Sequence, residues 1–343
     1  MYKLKSVTLL GILGFSLLIS SCTKTSSTTA DTNGNWIKKS DFEGVTRSEA
    51  ASFVINDSAY ITTGYDGTNR LQDLWKYDPT QNAWLQKAAL PGVARNSAIG
   101  FTANGMGYIG TGYDGVNKLK DIWQYNAATN TWVQKSDFAG SARYDAVGFG
   151  IVNKGYISTG YDGNYLKDLW QYDPAADAWT QQISMGGSKR SGAVSFVYQN
   201  KAYVCTGANN GTSTDVNDLW VFDPAVATVN TTGWTAKRMI SNVSTESYDD
   251  LYNIVRTNAV AFVMANKAYI TTGENGAVLN STWEYDFASD LWISKTAYEG
   301  VSRTGAVGFA VKNIGFVTTG RSSTTPFDDI RAFSPFQPYN AND

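Results

Sequence analysis

Histidine is absent from the whole chain of 343 residues. That single absence excludes His-ligated metal centres, Ser-His-Asp triads and Cys-His dyads. Only 2 Cys are present, too few for a disulfide framework. Charge is sparse: 17% of residues, with 28 Lys+Arg against 30 Asp+Glu and a formal net of -2. A nucleic-acid binder normally carries a basic excess, and a chain disordered by charge carries far more of it. Proline is scarce, at 7. What remains is aromatic and turn-rich: 11 Trp, 20 Tyr, 15 Phe and 32 Gly in a chain that is 43% apolar. This composition suits a β protein with a sizeable core.

Long apolar runs are also missing. The longest, residues 6–19, has 14 residues. A spanning helix needs about 20. Lys3 and Lys5 precede the run, and Leu18-Ile19-Ser20-Ser21-Cys22 closes it. These residues resemble a bacterial lipoprotein signal, which implies cleavage before Cys22 and lipidation of its thiol. The expected organisation is a signal peptide over 1–21, a lipidated Cys with a polar tether over 22–34, a folded body over 35–335 and a tail over 336–343. Fully extended, the tether reaches up to about 40 Å. The expected location is the cell envelope, lipid-anchored, with the outer membrane favoured.

The body repeats one unit. Arg47, Arg95, Arg143, Arg190, Arg256 and Arg303 are spaced 48, 48, 47, 66 and 47 residues apart. Such a period marks a solenoid, a propeller or an array. Each repeat holds four strand-like segments, a to d, joined by turn chemistry such as Asn56-Asp57, Asp66-Gly67 and Asp78-Pro79. The Trp residues count the units. Strand c carries Trp75, Trp123, Trp170, Trp220 and Trp283; strand d carries Trp36, Trp84, Trp132, Trp179, Trp234 and Trp292. The last repeat lacks its strand-d Trp, while Trp36 has no a, b or c before it. The economical arrangement is a ring of six blades closed by the strand around Trp36, which leaves no open edge.

The Arg, the later Tyr, the Asp-x-Trp-x-Tyr segment and the final Trp resemble the kelch repeat. That resemblance implies an all-β, six-bladed propeller of four-stranded antiparallel blades, related to the galactose oxidase superfamily fold. The family's Gly-Gly doublet is replaced by Thr-Gly in every repeat, from Thr63-Gly64 to Thr319-Gly320.

Alternating strand direction puts the b–c and d–a loops on one face, called X here. Three b–c loops begin Tyr-Asp-Gly, at Tyr65, Tyr113 and Tyr161. Asp and Gly suit a tight turn, but the turn does not require Tyr. A calcium reading of Asp66, Asn69 and Asp73 matches no recognised loop motif. The six Arg also fall on face X. They either tie blades together or, as in peptide-binding kelch proteins, build a donor-rich patch, tempered by Glu49, Asp145 and Glu246. The junction after Trp234 is 11 residues longer than its counterparts and carries Tyr248 and Tyr252. Long loops on rigid scaffolds often hold function.

The expected binding face is thus Tyr65, Tyr113, Tyr161, Arg47, Arg95, Arg143, Tyr248 and Tyr252. No catalytic residue, cofactor or metal is assigned. The expected role is a cell-envelope module that binds a protein or a glycan and no nucleic acid. Two alternatives stand beside it. One is a metal-free enzyme on carbohydrate, resembling sialic acid mutarotases, that recruits Glu49, Tyr144 and Asp145. The other is a structural subunit of an envelope complex. A galactose oxidase-like copper site needs two His and is excluded.

Overall fold

The computed structural model describes residues 1–2, 33–209, 216–228 and 231–343. Cys22 and most of the tether lie outside the described residues. Six four-stranded antiparallel sheets follow one another along the chain. Blade one comprises strands Ala51–Ile55, Ser58–Thr62, Leu74–Asp78 and Ala83–Lys87, lettered a to d. Blades two to five repeat that order from strands a at Ile99–Ala103, Val147–Ile151, Val194–Tyr198 and Val260–Met264. Blade six takes strands a to c from Val307–Val311, Ile314–Thr318 and Ile330–Ser334. Its fourth strand is Asn35–Lys38, in antiparallel register with strand c: Trp36 opposite Phe333 and Lys38 opposite Arg331. Trp36 is fully buried there and donates from its indole to the Thr296 carbonyl of blade five at 3.1 Å.

Local chemistry explains the regularity. Five of the six a–b hairpins place two non-glycine residues at positive φ, as at Asn56 and Asp57, and the sixth uses Asn104-Gly105. That is the turn whose twist matches paired strands. Strands a alternate buried and half-buried residues, as in Phe53 and Val54. Strands b are buried along nearly their whole length. Within a blade Phe53 stacks on Tyr60 at 5.1 Å and Phe101 on Tyr108 at 4.9 Å; between blades Tyr60 meets Tyr125 at 5.5 Å and Tyr108 meets Tyr172 at 5.6 Å. Gly107 and Gly155 give these Phe rings their room, because a Cβ at either would stand 2.2–2.3 Å from the ring of the preceding blade.

Two backbone belts run around the whole ring on face X. In the first, the Gly of each Thr-Gly doublet donates to the carbonyl of the next blade's Arg. Gly64 bonds Arg95, Gly112 bonds Arg143, and the series continues to Gly320 on Arg47. In the second, the residue two after each Arg donates to its counterpart one blade back: Ser97 to Glu49, Asp145 to Ser97, Gly192 to Asp145, Asn258 to Gly192, Gly305 to Asn258 and Glu49 to Gly305. All six of these residues have positive φ. Strands a line the central channel below them.

Candidate functional site

The six Arg are not surface groups. Each is at most 1% exposed. Arg47 forms a two-pronged ion pair with Asp73 at 2.5 and 2.7 Å, and bonds the Thr63 and Val45 carbonyls. Arg95 with Asp121 and Arg143 with Asp168 repeat the arrangement. Arg190 pairs with Asp218, and Arg303 with Asp329. The strand-c Trp completes the latch, since Trp75 donates to Asp73 at 2.8 Å and Trp123 to Asp121 at 2.7 Å. The Thr-Gly doublet belongs to the same device. Its Thr, at φ between 56° and 63°, turns the carbonyl onto the guanidinium. The expectation that Arg47, Arg95 and Arg143 present donors to a ligand is therefore corrected. Their charge is neutralised and buried between blades, so no converging positive patch forms.

The three Tyr-Asp-Gly loops do gather. The Asp is a turn former: Asp66 accepts from the amides of Thr68 and Asn69, and Asp114 from those of Val116 and Asn117. Its carboxyl is held below the usual range by those amides. With Asp66 on its own turn and Asp73 on Arg47, the calcium reading has no free ligand set. Among the described residues no three His, Cys, Asp or Glu side chains cluster. The Tyr rings instead line a hollow of about 750 Å³ on face X. Arg70 lies between two of them, 5.2 Å from the Tyr65 ring centroid and 4.9 Å from that of Tyr113. Tyr144 bridges Tyr113 and Tyr161 at 5.6 Å from each, and Tyr165 follows at 5.2 Å. Lys118 sits over Tyr161 at 5.8 Å. The result is an aromatic arc across blades one to three. The b–c loop of blade six, with Arg321 and Pro326, forms the facing wall.

The inner end of the hollow meets the channel mouth, where Glu49, Ser97 and Asp145 line both spaces. Glu49 accepts from Asn96 Nδ2 at 2.5 Å and lies 3.6 Å from Arg321. Asp145 has no cation within ion-pair distance among the described residues. Desolvation first, and then the Glu49 and Glu274 charges, push its carboxyl up to about 7. Ser48 adds a buried hydroxyl without a partner at the edge of the same space. The hollow thus offers ring faces, two guanidinium groups, an ammonium and two carboxyl groups. Glu49, Tyr144 and Asp145, named from sequence as the possible enzyme set, share this space without the buried Arg.

The long junction behaves differently. Ser241 bridges Asn253, so the insertion closes on itself. Buried Asp249 accepts from the amides of Val243 and Ser244. Tyr252 is buried, packs edge-on against Trp283 at 5.9 Å, and its hydroxyl accepts from the Trp292 amide at 2.6 Å. In blades one and three that place belongs to Phe42 and Phe138, each 5.9 Å from its strand-c Trp. Tyr248 meets Tyr252 edge-on and lies under Arg238. Neither Tyr248 nor Tyr252 lines the hollow, which corrects their place on the expected binding face. Glu246 is exposed on the insertion. Arg70, Asn96, Lys118 and Arg321 were not singled out from sequence. A signal was present: a basic residue five positions after the loop Tyr in blades one and two.

The Kelch motif family matches residues 46–91, one blade and its flanks. The solved structure of YjhT is similar to this chain, with a TM-score of 0.69 at 16% identity over 84% of this chain and 95% of that one. At that identity the likeness concerns the fold. A search of curated proteins gives no match.

Proposed function

We propose that this kelch-type propeller is a lipid-anchored module of the cell envelope that binds a small saccharide in the hollow on face X. The observation that carries the reading is the arc from Tyr65 through Arg70, Tyr113, Tyr144 and Tyr161 around about 750 Å³. Sugar rings present C–H faces that pack on aromatic rings, and hydroxyls that need planar donors and acceptors beside them. The volume falls in the range of small-molecule sites, about 300–1,000 Å³. A concave site of this size favours a saccharide over the broad surface of a folded protein.

Cys22 is proposed as the lipidated residue. Supporting this, the chain enters the propeller at Asn35, the start of an outer strand, on the face opposite the hollow. A tether joined there starts from the side away from the site. Cys22→Ser is expected to release the protein from membranes without changing its melting temperature. Full retention in the membrane fraction would refute the anchor.

A glycan array read with the full chain and its variants tests the site. Tyr113→Ala and Tyr161→Ala are expected to lose binding, while Gln81→Ala and Thr129→Ala on the opposite face keep it. Binding that survives both Tyr substitutions would refute the assignment. The carboxyls of Glu49 and Asp145 beside Tyr144 favour one second reading, acid–base conversion of the bound sugar. Proton NMR of a bound reducing sugar, showing anomer exchange faster than in buffer, separates it from simple binding.

A further inference from the structure

Five blades build the same latch: a buried Arg, an Asp two residues before the strand-c position, and in four of them a Trp that donates to that Asp. Blade five breaks it. Ser281 stands where the Asp would be. Arg256 is fully buried, and among the described residues no carboxylate lies within ion-pair distance of it. Its five donors meet only neutral oxygens. Nε bonds Ile254, Nη1 bonds the Thr272 and Ser281 carbonyls, and Nη2 bonds the Asn253 carbonyl at 3.2 Å and Ser281 Oγ at 2.9 Å. The indole N–H of Trp283, which has a carboxylate partner at the matching Trp of four blades, is buried and unpartnered.

These two defects point at one spot. In the regular latch one Asp oxygen accepts from both Arg Nη2 and Trp Nε1. Blade five retains both donors, but Ser281 Oγ reaches Nη2 alone and nothing reaches the indole N–H. A buried guanidinium without a counter-charge is costly, and a buried indole N–H without an acceptor adds to that cost. No neighbouring side chain supplies the charge. The nearby Cys205 thiol is pushed up to about 12 by burial and stays neutral. Desolvation draws the Arg256 guanidinium down to about 10, which fits a cation with no partner. Asn253, whose carbonyl lies on Nη2, lines a hollow of about 290 Å³ with Ser241, Val255, Asn275 and Leu279.

We propose that the blade-five latch is an anion site, in which a small monovalent anion such as chloride or formate takes the place of the missing Asp carboxylate between Arg256 Nη2 and Trp283 Nε1. The anion displaces the Ser281 hydroxyl from Nη2 and leaves the carbonyl contacts in place. Charge and geometry both set the class: one negative charge balances one guanidinium, and the place to be filled is that of a single Asp oxygen in the sister latches, which asks for a small anion. This site is separate from the saccharide hollow and does not depend on it.

Thermal melts of the full-length protein test the proposal at fixed pH and ionic strength, in sodium chloride, sodium formate or sodium gluconate. Gluconate is a carboxylate too large for the place. The expected result is a midpoint about 2–3 °C higher in chloride and in formate than in gluconate. Ser281→Asp supplies the carboxylate in the chain, so it is expected to melt higher in gluconate and to show no difference between salts. Trp283→Phe, which removes the N–H and keeps a ring, is expected to shrink the difference at least twofold. Equal midpoints for the wild type in all three salts would overturn the proposal. So would a salt difference that persists undiminished in Ser281→Asp, because that is a general salt effect. If Ser281→Asp does not fold, the Trp283→Phe response decides.

Discussion

The two parts of face X rest on blades of one design and differ in what their loops do. Over blades one to three short and nearly identical b–c loops, joined by the different short loop of blade six, stand around the hollow. At blades four and five the chain has its longest junction, and that junction folds down into the core with Tyr252 against Trp283 and Trp292. Length would assign function to the second half and turn chemistry to the first. The geometry assigns the reverse. A short loop held by Asp and Gly turns its Tyr ring to the hollow while the hydroxyl ties back to the loop's own Gly carbonyl, as Tyr65 does to Gly67 and Tyr113 to Gly115. A long insertion must first satisfy its own backbone and bury its own apolar residues, and here it has none left over for the hollow.

The sharpest way to break this contrast is to attack the element common to both halves. Arg95→Ala is expected to destabilise the propeller by about 3 kcal/mol, because it empties the buried place of the guanidinium and leaves half-buried Asp121 without its counter-charge. Urea unfolding measures it, and a loss near zero would mean the latches are ornamental. Tyr252→Ala is expected to cost about 3 kcal/mol through the cavity it leaves between Trp283 and Trp292, with saccharide binding unchanged. Lost binding in a variant of normal stability would put the insertion back on the functional face.

A pH series sharpens the comparison at the inner wall of the hollow. In the unfolded chain the Asp145 carboxyl ionises near 4; in the folded chain it is raised to about 7. Between those values the folded state holds a proton that the unfolded state has released, so stability falls as pH rises and the loss is complete above about 7. Asp145→Asn keeps a residue suited to positive φ and removes the penalty. It is expected to gain nothing at pH 4 and on the order of 2 kcal/mol at pH 8. A gain equal at both pH values would show that Asp145 ionises normally. The smallest effect belongs to Arg70→Ala: less than about 1 kcal/mol of stability, since its cation–π contacts are partly exposed, but at least a tenfold loss of saccharide affinity by calorimetry.

Much of the architecture was legible before any coordinates. The spacing of the six Arg and the split of the Trp residues into five and six define blades and their number. The pairing of Asn35–Lys38 with Ile330–Ser334 accounts for the isolated Trp36. The latch was half legible. An Asp stands 25 to 28 residues after five of the six Arg, and Ser281 after the other, but the linear chain does not say that the two side chains touch. Burial of the Arg follows from that contact, which is why a patch of exposed guanidinium groups was a reasonable and incorrect expectation. The hollow was the least legible feature. Arg70 meets Tyr113 only because adjacent blades are set side by side at the ring, a relation between repeats and not within one.

The belt that passes through Glu49, Ser97, Asp145, Gly192, Asn258 and Gly305 has a property that no single blade has. Its six N–H groups all point the same way round the ring, each to the carbonyl one blade behind. Dipoles laid head to tail in a closed circle reinforce one another along the circle, while their tangential parts cancel over the whole. Unlike the end of a helix, which offers a ligand a fixed partial charge, this rim offers little net field of its own. The sign of the potential at the channel mouth is left to the side chains carried on the belt. Four of them are Glu, Ser, Asp and Asn and two are Gly, so gaining or losing one proton at Asp145 changes the character of the entire opening.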